Sequence, residues 1–173
     1  MNWWQNVFNQ KNKYNRVKTT GQMNAVHVAR KSKFPVVVAP VTGQLQKIDG
    51  DNEQNHSKNG FMMLPDGNNI MSPVSGIVTA SDEHTVIIKS VNHDKVTVQV
   101  QARNEMLQGT RLATYGTGQQ LHAGDLIGTA HAMDQNDVRV YVFFEDSVVP
   151  YVNYGAVYAG QSIWQYQEDE DAT

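Results

Sequence analysis

From Phe34 to Gln165 no stretch sustains a 3.6-residue apolar period for more than about two turns. Short β-branched and aromatic runs alternate instead with Gly, Pro, Asn and Asp, the residues that end strands and shape turns. Such a chain has to close its core with sheets, so the expected fold is all-β, an antiparallel sandwich or barrel. Strands are predicted over 35–39, 43–48, 60–64, 76–80, 84–90, 95–102, 125–130, 138–144 and 156–165. A turn from Val91 to Asp94 would join two of them as a hairpin.

A short internal repeat sharpens that reading. Val38-Ala-Pro-Val-Thr-Gly-Gln-Leu45 and Met71-Ser-Pro-Val-Ser-Gly-Ile-Val78 share one pattern: small residue, Pro, Val, hydroxyl residue, Gly, any residue, apolar residue. Pro holds the entry extended and Gly permits a sharp corner. Two such corners imply two similarly built halves.

Length and charge divide the chain further. Its 173 residues suffice for one ordinary domain with extensions. Residues 1–48 hold eight Lys or Arg and no Asp or Glu, whereas the remainder holds six basic and 17 acidic residues. Residues 1–33 read as a basic arm and linker. Trp3, Trp4, Val7 and Phe8 fall at helical spacing ahead of Lys11, Lys13, Arg16 and Lys18, which predicts a short amphipathic helix. The β body would occupy 34–165, and 166–173, with Glu168-Asp-Glu-Asp171, would be a solvated acidic tail.

The absence of Cys excludes disulfides, thiolate metal sites and thiol nucleophiles. No apolar run approaches the roughly 18 residues of a membrane-spanning helix, and no cleavable leader is evident. A soluble, cytoplasmic protein is therefore expected.

The most specific stretch is Asn59-Gly-Phe-Met-Met-Leu-Pro-Asp-Gly-Asn-Asn-Ile-Met-Ser-Pro-Val-Ser-Gly76. It resembles the glucose-type enzyme IIA domain of bacterial sugar phosphotransferase systems, with its pattern G-x-x-x-x-P-x-G-N-x-x-x-x-P-V-x-G. His84, Gly109, Gly118, Gly124-Asp125 and Gly155-Ala-Val-Tyr-Ala-Gly160 extend the resemblance over residues 35–165. It implies an antiparallel β-sandwich built from a duplicated half-motif. It also implies a phosphoryl shuttle from the carrier HPr to a sugar-transporting IIB domain. The family uses two histidines, an acceptor and an earlier one that hydrogen-bonds the phosphate.

The earlier position is His84, but Gln99 stands at the acceptor position, fifteen residues on. An imidazole nitrogen has a free lone pair and titrates near neutrality. A carboxamide nitrogen has its lone pair delocalised into the carbonyl, so Gln forms hydrogen bonds but is no efficient phosphoryl nucleophile. Arg103 stands where the family carries an acidic residue, which reverses a charge beside the site. Thr97 replaces an apolar residue of the docking face, and the loop from Asp49 to Lys58 is shorter and wholly polar. These departures predict an inactive, regulatory or protein-binding relative. The alternative is an active phosphocarrier in which His84 accepts the phosphoryl group, or in which a register step brings His93 to the site.

Some glucose-type IIA proteins begin with a helix that touches anionic lipid, and Trp3, Trp4 and Phe8 with the basic cluster fit that use. The expected partners are thus proteins such as HPr, IIB or a transporter, with an anionic membrane surface for the arm. No cofactor is expected. No metal is expected either, because His27, His56, His93, His122 and His131 lack mutual ligand spacing. A zinc peptidase on the same β motif would need a His-x-His pair where Val138-Arg-Val-Tyr-Val-Phe-Phe-Glu145 stands. Lys89 and Lys95 lack the flanks of a biotinyl or lipoyl carrier. Nucleotide loops and a nucleophile elbow are missing. The acidic body argues against nucleic acid.

Overall fold

Valine alternates with polar residues in Lys95–Ala102 and with larger side chains in Val138–Phe144. Each is therefore a strand whose valine face turns to the interior. They pair antiparallel from Val138↔Ala102 to Phe144↔Val96 at the middle of the main sheet.

The computed structural model describes residues 36–48, 59–91, 94–102, 109–131, 137–145 and 152–165. These residues form thirteen strands and no helix. In chain order they are β1 (Val36–Val38), β2 (Gly43–Gln46), β3 (Gly60–Pro65), β4 (Asn69–Met71), β5 (Gly76–Ser81), β6 (Thr85–Ser90), β7 (Lys95–Ala102), β8 (Arg111–Leu112), β9 (Gln120–Leu121), β10 (Leu126–Thr129), β11 (Val138–Phe144), β12 (Gly155–Val157) and β13 (Ser162–Gln165). The main sheet has eight strands in the order β12-β2-β3-β11-β7-β6-β5-β9. A three-stranded sheet, β4-β10-β8, and a two-stranded one, β1-β13, complete the fold. Every pairing is antiparallel. The core joins the inner face of the main sheet, including Phe61, Met63, Val98 and Val140, to Val37, Ile70 and Ile127 of the smaller sheets.

The order of the main sheet reads the same from both edges once β12, β2, β3 and β11 are matched with β9, β5, β6 and β7. The hydrogen bonds repeat with it. The Val38 N–H donates to Pro73 O at 2.9 Å and the Met71 N–H to Pro40 O at 2.6 Å, so the two Pro-Val corners grip each other reciprocally. Thr42 Oγ1 accepts from the Ala159 N–H at 3.0 Å, and Ser75 Oγ accepts from the Ala123 N–H at 2.9 Å. This explains the hydroxyl residue in both copies of the short motif, since each satisfies a partly buried amide.

The glycine that follows has an equally local cause. A Cβ at Gly43 would lie 2.0 Å from Leu64 O, and one at Gly76 would lie 2.2 Å from Lys89 O. Both approaches are to the backbone of the next strand, so neither clash is relieved by a rotamer change.

The predicted strand 156–165 is corrected by the structure. It divides into β12, which extends the main sheet beside β2, and β13, which pairs with β1 in another sheet. Between them Gly160 takes a φ of 82°, and the Gln161 side chain accepts the Tyr158 N–H at 3.0 Å. One chain segment serves two sheets and must bend between them. Strands β4, β8 and β9 escaped prediction because two or three residues are too few to show alternation. The arm, with its predicted helix, and the tail lie outside the described residues.

Candidate functional site

Asp82 sets the entry to β6. Its Oδ1 accepts the N–H groups of His84 and Thr85 at 2.7 and 2.8 Å, and its own N–H donates to Thr85 O at 2.8 Å. This side-chain turn stands in for a backbone turn. It presents His84 to solvent and starts the strand at Thr85.

The β6–β7 ladder then sets Thr85 opposite Gln99, and the Val100 N–H donates to His84 O at 2.9 Å. The backbones of His84 and Gln99 thus meet across adjoining strands, one register step apart. At the other end of this pair of strands the Ser90 N–H donates to Asp94 O at 2.8 Å. Gln99 is half-buried, out of phase with the valines of its strand, between Thr85 and Tyr141. Thr97, also half-buried, lies between Ile87 and Phe143. The main sheet therefore has an outer lane of hydroxyl, amide and apolar side chains from β6 and β7.

Beside it runs an apolar lane from β3 and β11. Tyr141 is 1% and Met62 4% exposed, although both alternate with core residues and belong to the opposite face. They form a second cluster with Ile48, against which Leu64 and Phe143 pack. The rings of Tyr141 and Phe143 are stacked, with centroids 5.6 Å apart and planes within 6°. Sequence reasoning passed over these residues. A signal was present, because Val-Arg-Val-Tyr-Val-Phe-Phe carries large apolar groups on both faces rather than on one.

His84 has an exposed imidazole in the turn ahead of β6, and Gln99 offers a donor and an acceptor without nucleophilic nitrogen. The other described histidines lie elsewhere. His122 has its Nδ1 3.5 Å from Asp125 Oδ2 in the turn between β9 and β10. The His131 N–H donates to Thr110 Oγ1 at 2.8 Å. Arg103, His93, the loop 49–58 and the arm residues Trp3, Trp4 and Phe8 fall outside the described residues. Among the described residues no group of three or more His, Asp or Glu is placed to hold a metal ion.

A concavity of about 430 Å³ is lined by residues that include Glu83, Arg111, Thr114, Leu126 and Thr129. The backbone bond from the Leu112 N–H to Glu83 O, 2.7 Å, ties the His84 turn to β8. Nearby, the Tyr115 hydroxyl donates to Leu126 O at 3.2 Å. Burial, and then the negative charge of Asp125, push the Tyr115 phenol above its ordinary value. Three separate segments build this hollow, so no local pattern announced it.

No protein-family model matches the chain, and no curated protein matches it. Among solved structures it is similar to the glucose permease IIA from Mycoplasma capricolum, with a TM-score of 0.63 and 19% sequence identity. The match covers 78% of this chain and 96% of that one. The chain thus has the glucose-type IIA fold, an antiparallel β-sandwich, as the Pro, Gly and Asn pattern of 59–76 implied. Among the described residues no helix is long and apolar enough to cross a membrane.

Proposed function

We propose that this chain is a IIA-like module of a sugar phosphotransferase system that does not carry phosphate at position 99 and acts by binding proteins. The observation that carries the reading is the register Thr85↔Gln99↔Tyr141, one step from His84. In this reading Gln99 is the acceptor position of the resembled family, so a carboxamide stands there in place of an imidazole. Without that nitrogen lone pair there is no covalent phosphoryl intermediate at this position.

The adjoining surface supports a binding role. Thr85 and Tyr141 flank Gln99, and Ile87 and Phe143 flank Thr97, which gives this face groups suited to packing and hydrogen bonding. In this reading, Arg103 and the short polar loop 49–58 redirect the module away from the family's basic phosphocarrier. The domain limits 1–33, 34–165 and 166–173 belong to the same proposal, as does descent of the body from a duplicated half-motif. The equivalent hydrogen bonds of the two corners support the latter. A cytoplasmic module adhering through Trp3, Trp4 and Phe8 to the anionic inner face of the membrane completes the reading.

Incubation with phosphoenolpyruvate, enzyme I and HPr, followed by intact mass measurement in alkaline buffer, tests it. The expected result is no phosphoryl gain. A stoichiometric gain abolished by His84→Ala would establish the active-carrier alternative. Should Gln99→His acquire phosphate, the defect lies in the acceptor alone; continued failure assigns a second block to the docking face. For the arm, sedimentation with anionic vesicles should retain the full chain and lose a version starting at Phe34. Equal sedimentation would remove the membrane contact from the proposal.

A further inference from the structure

Asp82 and Asp125 each commit a carboxylate oxygen to backbone amides, Asp82 Oδ1 to those of His84 and Thr85 and Asp125 Oδ2 to that of His122. Glu83 and Arg111 are not used in this way. Both are exposed and both line the concavity of about 430 Å³. Among the described residues neither side chain has a hydrogen-bond or ion-pair partner, and they do not pair with each other. Two opposite charges therefore border one hollow with no structural task.

The rest of the lining is apolar or fixed in place. Arg111 lies directly opposite Thr129 in the β8–β10 ladder, and both are exposed, so they stand side by side on the outer face of the three-stranded sheet. Leu126, 59% exposed, adds an apolar wall. The Leu112 N–H donates to Glu83 O at 2.7 Å, the Ala113 N–H to Ile127 O at 2.8 Å, and the Tyr115 hydroxyl to Leu126 O at 3.2 Å. These bonds tie together the three segments that form the hollow, so little ordering is left for a ligand to impose. Its volume falls within the roughly 300–1,000 Å³ of small-molecule sites.

We propose that this hollow binds a small zwitterion with an apolar body, an apolar α-amino acid or dipeptide. The ligand carboxylate meets the Arg111 guanidinium, its ammonium meets Glu83, and its side chain lies against Leu126. The planar guanidinium fork matches a carboxylate with two parallel hydrogen bonds. A simple anion would be repelled by Glu83 and a simple cation by Arg111, whereas a neutral polyol would waste the exposed apolar wall. Only a ligand with both charges and an apolar part satisfies all three. Gln99 does not line the hollow, so this inference goes beyond the phosphotransferase reading, and either can fail without the other.

Amide NMR titration of the full chain tests the site, with L-leucine and L-leucyl-L-leucine as probes. N-acetyl-leucyl-leucine and leucyl-leucine amide each lack one of the two charges. A dissociation constant on the order of 1 mM is expected from two charge-assisted contacts in an open site, with shifts centred on Glu83, 111–114 and 126–129. Removing either ligand charge should weaken binding about tenfold. Arg111→Gln should erase the preference for the dipeptide over its amide and keep the preference over the acetylated form; Glu83→Gln should do the reverse. That crossed pattern does not arise from a general loss of shape or stability. Leucine binding at least as well as the dipeptide would assign a free amino acid, and tighter dipeptide binding a peptide. No shift with either probe at about 20 mM, far above the expected constant, would overturn the proposal. Shifts centred elsewhere, or affinities indifferent to the removal of either ligand charge, would overturn it equally.

Discussion

The two halves of the main sheet share a backbone plan and differ in what they present on its outer face. Asn59 O accepts the Phe144 N–H at 2.8 Å ahead of β3, just as His84 O accepts the Val100 N–H at 2.9 Å ahead of β6. At matching places along the central pair, Gln99 stands where the other half has Phe143, and Thr97 where it has Tyr141. One half covers its outer face with stacked rings. Its counterpart offers an amide and hydroxyls. The corners thus maintain a common geometry, and the outer side chains are free to differ because they do not form the valine core.

This comparison is broken most severely at the two glycines. Gly43→Ala and Gly76→Ala each drive a Cβ into a neighbouring carbonyl, at 2.0 and 2.2 Å. Both should destabilise by about 4 kcal/mol or prevent folding. Urea denaturation checks this, and a harmless change at one site alone would show that the corners are not equivalent.

The outer faces should respond unequally. Tyr141→Ala removes a ring only 1% exposed, and a loss of about 3 kcal/mol is expected. Thr97→Ala, at the matching place, should cost less than about 1 kcal/mol. A chemical denaturation series on both variants measures the difference. Similar losses would mean that the polar half is structural rather than reserved for contact.

A smaller and balanced effect is expected at the hydroxyl caps. Thr42→Val and Ser75→Ala each deprive a partly buried amide of its acceptor, Ala159 in one case and Ala123 in the other. Each should lower stability by about 1–2 kcal/mol. Hydrogen exchange should show protection lost selectively at Ala159 N–H and Ala123 N–H, respectively. Loss at only one would confine the equivalence to the backbone.

Much of the fold was legible in local sequence. The spans 95–102 and 138–144 were read with their observed limits, because seven or eight residues suffice to display alternation around valine. The corner residues were legible for a similar reason: Pro, Gly and a hydroxyl each answer a constraint within a few positions. The site was legible only in part. His84 and Gln99 were brought together by counting along a hairpin, a local operation. Met62 and Tyr141 were missed because their burial depends on a separate cluster with Ile48 across the face of the sheet.

The amino-acid sequence by itself determined the β class, the sharp corners, the charge-divided termini and the absence of an imidazole at position 99. These follow from properties of single residues and short runs: backbone permissiveness, side-chain period, formal charge and lone-pair availability. Only the tertiary structure decided that Gly155–Val157 and Ser162–Gln165 belong to different sheets and that an aromatic lane flanks Gln99. It also decided that the two ends of the body emerge together at Val36 and Gln165. Those outcomes depend on which distant strands pair, and pairing is chosen by burial of the whole core rather than by any segment alone.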